Sequence, residues 1–183
     1  MSKLNLMCGI PGSGKSYWVR HHMTDADAYI SRDQIRFSML KEGEEYFSHE
    51  NEVFEEFIAQ IQNAINGNYN NIFVDATHLN KSSRNKLLHA LGDAIEEVEE
   101  INLIFLNTPL YTALARNHQR TGRKYVPEEA IKSMFKGLRL PDGTETNITS
   151  VYIIEEGKPI ERRFINGQRK IYIWWIRKTL WRI

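Results

Sequence analysis

Residues 9–16 read Gly9-Ile10-Pro11-Gly12-Ser13-Gly14-Lys15-Ser16 and follow directly on the apolar run Leu4 to Met7. This G-x-x-x-x-G-K-S pattern requires its residue types for physical reasons. Glycines let the backbone curl so that several N–H groups converge on an anion, and the helix that follows aims its positive end at the same point. Lys15 adds a mobile charge suited to the outer phosphates of a nucleoside triphosphate, and Ser16 a hydroxyl suited to Mg²⁺. Gly12, Ser13, Gly14, Lys15 and Ser16 are therefore the candidate phosphate contacts, with Ser16 the metal ligand. Tyr17 stands where many such loops carry a second hydroxyl, so a contact from that position comes from its backbone. The plain alternative is a Gly-rich turn that binds nothing; the strand-then-helix setting argues for the phosphate cradle.

Outward from this loop, short apolar runs at Ala28–Ile30, Ile72–Val74, Ile101–Leu106 and Val151–Ile154 read as buried strands. The stretches between them have helical spacing. Val53, Phe57, Ile61 and Ile65 recur at four-residue steps and predict a helix from about Phe47 to Asn66. Leu87, Leu88, Leu91 and Ile95 do the same behind Asn80, a good N-cap. Pro127-Glu128-Glu129 opens a further helix, with proline suited to the first turn and acids favoured by the helix dipole. Strands alternating with helices imply a mostly parallel α/β sheet covered on both faces, with ligands at the carboxyl ends of its strands. The Asn-rich run 66–71 punctuates the chain between a helix and a strand, and the acidic run 96–100 reads as a solvated helix end.

The 183 residues fit one domain, and 42% hydrophobic with 26% charged residues excludes a wholly disordered chain. The longest uncharged apolar run, Ile171–Ile176, is far short of the roughly 20 residues that cross a bilayer. A glycine-rich loop occupies the place of a secretory h-region, and a single cysteine, Cys8, provides no intrachain disulfide. These features lead to the expectation of a cytoplasmic protein without a membrane partner. The net charge of +1 hides an asymmetry: residues 157–183 hold eight Lys/Arg against one Glu (+7), leaving −6 on residues 1–156. We divide the chain accordingly into a P-loop domain, 1–156, and an aromatic basic extension, 157–183.

A phosphate cradle alone does not separate a switch from a kinase, so the other strand ends matter. Ser31-Arg32-Asp33-Gln34-Ile35-Arg36 follows the second apolar run. If Asp33 begins a helix, Asp33 and Arg36 share a face. A carboxylate there can take the proton of an attacking hydroxyl while the arginine grips a phosphate on the acceptor. Spacing alone fits a solvated ion pair just as well. Asp75 closes the third strand and suits a partner for Ser16 and the metal, or a helix cap, a task Thr77 or Asn80 performs equally well. Arg116, Arg120, Arg123 and Lys124 concentrate cations before Pro127, where a basic loop over the phosphates would stabilise the transferring group.

Four blocks in order, G-I-P-G-S-G-K-S with Trp18, S-R-D-Q-I-R, V-D-A-T-H-L-N with Arg84, and R-N-H-Q-R…V-P with Ile131-Lys132-Ser133-Met134, make residues 3–140 resemble the 5′-kinase domain of bacteriophage polynucleotide kinase. The resemblance implies an adenylate-kinase-like P-loop fold and, with ATP and Mg²⁺, phosphorylation of the 5′-hydroxyl of DNA or RNA in nucleic-acid repair, in a bacterial or phage-infected cytoplasm. By position, it makes Lys15 and Ser16 hold phosphates and Mg²⁺, Asp33 the general base, and Arg36 the ligand of the acceptor phosphate. Asp75 would support the site with Thr77 near the acceptor; Arg116 and Arg120 would be lid arginines on ATP, and Val126 would pack on the terminal base. The lid aligns only with one extra residue between Arg120 and Gly122. The rival is a P-loop kinase of a small hydroxylated metabolite or drug, similar to zeta-toxin and chloramphenicol phosphotransferase; a nucleotide-dependent binding module is a third reading, one that leaves Asp33 without a task.

Asp142-Gly143-Thr144 echoes a phosphatase motif, but Leu140-Pro141 replace the strand with its nucleophile and only 39 residues follow; we read a turn and expect no phosphatase activity. Asn166-Gly167 signals a hairpin. Trp174, Trp175 and Trp181 among basic residues suit single-strand stacking or, preferably, a packing or homo-oligomer interface. Lys170–Ile183 fits strand and helix alike.

Overall fold

The computed structural model describes residues 1–141, 145, 147–158, 160–164 and, as backbone, 170–173. Five strands run parallel in the order β2-β3-β1-β4-β5: β1 (Ser2–Cys8), β2 (Ala28–Ser31), β3 (Asn71–Asp75), β4 (Val98–Leu106) and β5 (Ser150–Ile154). Two antiparallel strands, β6 (Ile160–Phe164) and β7 (Lys170–Ile173), extend the sheet beyond β5. The helices are α1 (Lys15–His22), α2 (Arg32–Met39), α3 (Glu50–Ile65), α4 (Lys81–Leu91), α5 (Leu110–His118) and α6 (Glu128–Gly137).

Central β1 is buried on both faces, as its nearly unbroken apolar run requires. On one side Leu4, Leu6, Ile72, Val74 and Leu103 meet Val53, Phe57, Ile61 and Ile65 of α3 and Leu87, Leu88 and Leu91 of α4. On the other, Met7, Phe73, Ile104 and Leu106 meet Trp18 and Val19 of α1. A third cluster, Ile10, Ala113 and Ile131, with Leu79, Leu110, Leu114, Val126 and Met134 packed around it, seats α5 and α6 on the glycine-rich loop. Asn80 caps α4 in a reciprocal box with Ser83.

Two boundaries differ from the sequence reading, and one open choice is decided. The helix expected from Phe47 starts at Glu50, because residues 46–49 form turns and the Tyr46 side chain is drawn onto Asp33 and Arg36. Of the acidic run 96–100, the exposed Glu96 and Glu97 end a 3₁₀ helix, Gly92–Glu97, but Val98–Glu100 begin β4, where Glu100 lies 3.7 Å from Lys3 and 3.5 Å from Arg162. Within the ambiguous tail, Lys170–Ile173 is a strand, antiparallel to β6 as a hairpin demands. Asn166-Gly167, Asp142-Gly143-Thr144 and the three tail tryptophans lie outside the described residues.

The parallel register aligns Met7 with Asp75 and Ile104, and Ser31 with Asp75. The glycine-rich loop, the start of α2 and the end of β3 therefore gather at one carboxyl edge, flanking the central strand where the strand order switches direction.

Candidate active site

Residues 9–14 make the turn with left-handed glycines: φ is +148° at Gly9, +83° at Gly12 and +98° at Gly14. Gly12 has a second reason to be glycine, since a Cβ there would lie 2.3 Å from the Ala113 carbonyl oxygen of α5. The loop is pinned from three sides. Gly9 N donates to Thr77 O (3.2 Å), Ser13 N to Ile10 O (3.1 Å), and Thr108 Oγ1 to Ser13 O (2.9 Å). Lys15 Nζ folds back to donate to the carbonyls of Gly9 (2.8 Å) and Ile10 (3.2 Å). Burial lowers the pKa of this amine, opposed by the charges of Asp75, Cys8 and Asp33 and reinforced by Arg120. Asp33 and Arg120 thus lie within electrostatic reach of Lys15.

Asp75, 7% exposed at the end of β3, accepts from Ser16 Oγ and from Tyr29 Oη on the same Oδ2, each at 2.6 Å. Burial, then Asp75, pushes the Tyr29 phenol up to about 12, so it remains a donor at physiological pH. Tyr29 was missed in the sequence, where it is one apolar residue of a strand. The hydroxyl–carboxylate pair is a hard oxygen donor set that fits Mg²⁺, and Ser13 Oγ, buried and unpartnered, leaves a donor free in the phosphate cradle. A Cβ on Gly14 would lie 3.7 Å from Arg116 Nη1, so Arg116 stands beside the loop, 3.5 Å from Glu156. These residues fit a nucleotide with its metal. Tyr17 is exposed and its ring lies against His21, centroids 3.9 Å apart, so its side chain has turned from the cradle.

Ser31 caps α2, accepting from Gln34 N, which brings Asp33 and Arg36 onto one face. Arg36 Nη1 donates to Asp33 Oδ1 at 2.5 Å and to Tyr46 Oη at 2.8 Å, and Tyr46 Oη donates to Asp33 Oδ1 at 2.7 Å. Asp33 keeps 64% of its side chain exposed, whereas Arg36 keeps 6%. Glu50, the first residue of α3, accepts Nε and Nη2 of Arg36 on Oε1 (2.8 and 2.5 Å) and Nη2 of Arg32 on Oε2 (2.8 Å). Burial opposes the Arg36 cation, but the Glu50 hydrogen bonds, then Tyr46, Glu50 and Asp33, outweigh it and raise its pKa. Glu50 and Tyr46 were also missed: an acid in a first helical turn is ordinary, and their contacts to Arg36 span 14 and 10 residues.

The lid segment, residues 119–126, is closed at its base by Asn117, fully buried, whose amide exchanges both hydrogen bonds with the Val126 backbone (2.7 and 3.1 Å). Of the lid cations, Arg120 lowers the pKa of Lys15 through its charge, while Arg123 donates to the carbonyls of Leu40 (3.3 Å) and Lys41 (2.7 Å). Val126 packs partly buried against the Ile10 cluster. Thr77 contributes its carbonyl to the loop, and the next residue, His78, is buried at φ 43°.

The fold and this site define a P-loop kinase domain. The AAA domain family matches residues 4–141, and the chain belongs to that family. No curated protein is significantly similar in sequence. Among solved structures, a chain of the Pnkp1/Rnl/Hen1 RNA repair complex is similar with TM-score 0.63 and 22% identity over 75% of this chain and 44% of that one. Kti12 of Chaetomium thermophilum in complex with ADP-AlF3 gives 0.60 and 12%, over 85% and 90%. A sugar kinase of a Janibacter species gives 0.56 and 14%, over 84% and 85%. This chain spans less than half of the repair-complex chain; these likenesses describe the fold. No helix among the described residues is long and apolar enough to cross a membrane.

Proposed function

We propose that this chain is an ATP-dependent polynucleotide 5′-hydroxyl kinase acting on DNA or RNA ends. The observation that carries the reading is the Asp33–Arg36 pair: an exposed carboxylate at the start of α2, fastened at 2.5 Å to an arginine anchored by Glu50. One oxygen of Asp33 is taken up by Arg36 and Tyr46, which leaves Oδ2 to accept the proton of the attacking 5′-hydroxyl. Arg36 Nη2 donates one hydrogen to Glu50 and has a second with which to meet the acceptor's first phosphate. Lys15, Arg116 and Arg120 hold the transferring phosphoryl group, and Ser16 with Asp75 holds the metal. When bound, Mg²⁺ neutralises charge on the outer phosphate oxygens. Thr77 and Val126 border the acceptor. Similarity to a chain of an RNA repair complex supports a nucleic-acid acceptor.

A second reading, a kinase of a small hydroxylated metabolite, is favoured by the sugar-kinase likeness, which covers most of both chains. Incubation with labelled ATP, Mg²⁺, 5′-hydroxyl DNA and RNA oligonucleotides, and a metabolite panel separates the two. Label on oligonucleotides is expected; label on a metabolite alone overturns the proposal. Asp33→Asn is expected to lower transfer by about 10²–10⁴ while ATP still binds by calorimetry, and transfer near the wild-type rate would remove Asp33 as the base.

A further inference from the structure

The turn between α2 and α3 carries an aromatic pair, Tyr46 and Phe47, of which Phe47 has no role in the chemistry above. The Tyr46 ring lies under the Arg36 guanidinium, 4.4 Å from carbon to centroid, and Phe37 meets it edge-on at 6.0 Å. Phe47 stands perpendicular to Tyr46 at 4.8 Å and 85°, with the same guanidinium 5.8 Å from its centroid. Yet Phe47 is 67% exposed and belongs to none of the three apolar clusters of the described residues. The turn that presents it is braced: Lys41 N donates to Glu44 (2.8 Å), His49 pairs with Glu44 (3.0 Å), Ser48 Oγ donates to Glu45 O (2.9 Å), and Arg123 of the lid grips Leu40 and Lys41. An exposed ring on a braced turn beside a buried cation is a surface made for contact.

We infer that Phe47 is a stacking platform for a nucleobase of the acceptor strand. The inference rests on the polynucleotide reading and deepens it. The Arg36 guanidinium, which on that reading holds the acceptor's phosphate, lies within 6 Å of both ring centroids, so a base attached to that part of the strand comes within reach of the open face of Phe47. Cations interleaved with aromatic rings are the arrangement that binds single strands by charge and stacking together. The stacking is sequence-tolerant, because every base has a π-face.

The test compares a 5′-hydroxyl oligonucleotide with the same oligonucleotide made abasic at its two 5′-terminal positions, for wild type, Phe47→Ala and Phe47→Trp. Wild type is expected to show a KM roughly 5- to 150-fold lower for the base-bearing end. Phe47→Ala is expected to lose most of that preference and Phe47→Trp to keep it. Since the ring is exposed, melting of Phe47→Ala should lie close to wild type, which separates a lost contact from a lost fold. A base preference undiminished in Phe47→Ala overturns the inference while leaving the polynucleotide reading standing. Failure of wild type to phosphorylate either oligonucleotide overturns both, a distinct result.

Discussion

Arg84→Met should destabilise this protein more than any exposed substitution in the site, and the structure supplies the magnitude. The Arg84 side chain is wholly buried; Nε and Nη2 donate to the two oxygens of Glu145 at 2.7 and 2.6 Å, and Nη1 donates to the carbonyls of His78 and Arg139 at 3.0 Å each. Methionine fills much of the stem but satisfies none of these acceptors. Glu145, 5% exposed, would keep a buried charge without its counter-ion, a loss of about 3–5 kcal/mol. For a chain of this size that lowers the melting temperature by roughly 6–20 °C. Thermal melting by circular dichroism, without nucleotide, is the assay. Arg84→Met/Glu145→Leu should recover a good part of the loss, because no unpaired charge remains. A single variant melting within about 3 °C of wild type would refute the reasoning, since it would mean the pair is solvated or replaceable.

Gly12→Ala should cost about 1–3 kcal/mol in melting and lose ATP binding by calorimetry, because its Cβ would press on Ala113 O at 2.3 Å from a φ of +83°. His78, its pKa lowered to about 3 by burial, is neutral in the fold and protonated below about 6.5 when unfolded. Its contribution is therefore complete above about pH 6.5 and is lost as pH falls toward 3, at up to about 1.4 kcal/mol per pH unit. His78→Asn, which tolerates φ 43° and does not titrate, should flatten the stability–pH profile in that window. Asn117→Ala should accelerate hydrogen exchange at the Val126 amide by removing its acceptor, with a stability cost of about 1–3 kcal/mol.

What could be read in the sequence was local. The glycine-rich loop declares itself because its pattern lies within eight consecutive residues, and the buried strands because β1, β3 and β4 are buried on both faces. Asp33 and Arg36 were paired from one helical turn, a spacing the fold preserves. The supports of the site were illegible for the opposite reason. Tyr29 meets Asp75 across 46 residues, and Glu145 meets Arg84 across 61. The turn at 46–49 escaped a periodicity argument because apolar spacing continues through Phe47 while the Tyr46 hydroxyl is claimed by Asp33. Side-chain hydrogen bonds, which periodicity ignores, decided that boundary.

The two halves of the site also differ in how they are held, and that difference bears on specificity. The phosphate half is built into the sheet: Asp75 ends β3, Tyr29 lies in β2, and the loop between β1 and α1 hangs on carbonyl and hydroxyl bonds from Thr77 and Thr108. The half proposed for the acceptor is carried by a surface segment, the turn after α2, which is joined to the lid 119–126 through Arg123 on Leu40 and Lys41. Arg36 belongs to both worlds, since Glu50 fixes it from α3 while Asp33 and Tyr46 use it from the turn side. On the proposed function, a change of acceptor would therefore require rebuilding exposed turns around a fixed arginine and carboxylate, without disturbing the cradle. On the same proposal, the choice of acceptor would fall to the turn at residues 41–49 rather than to the glycine-rich loop.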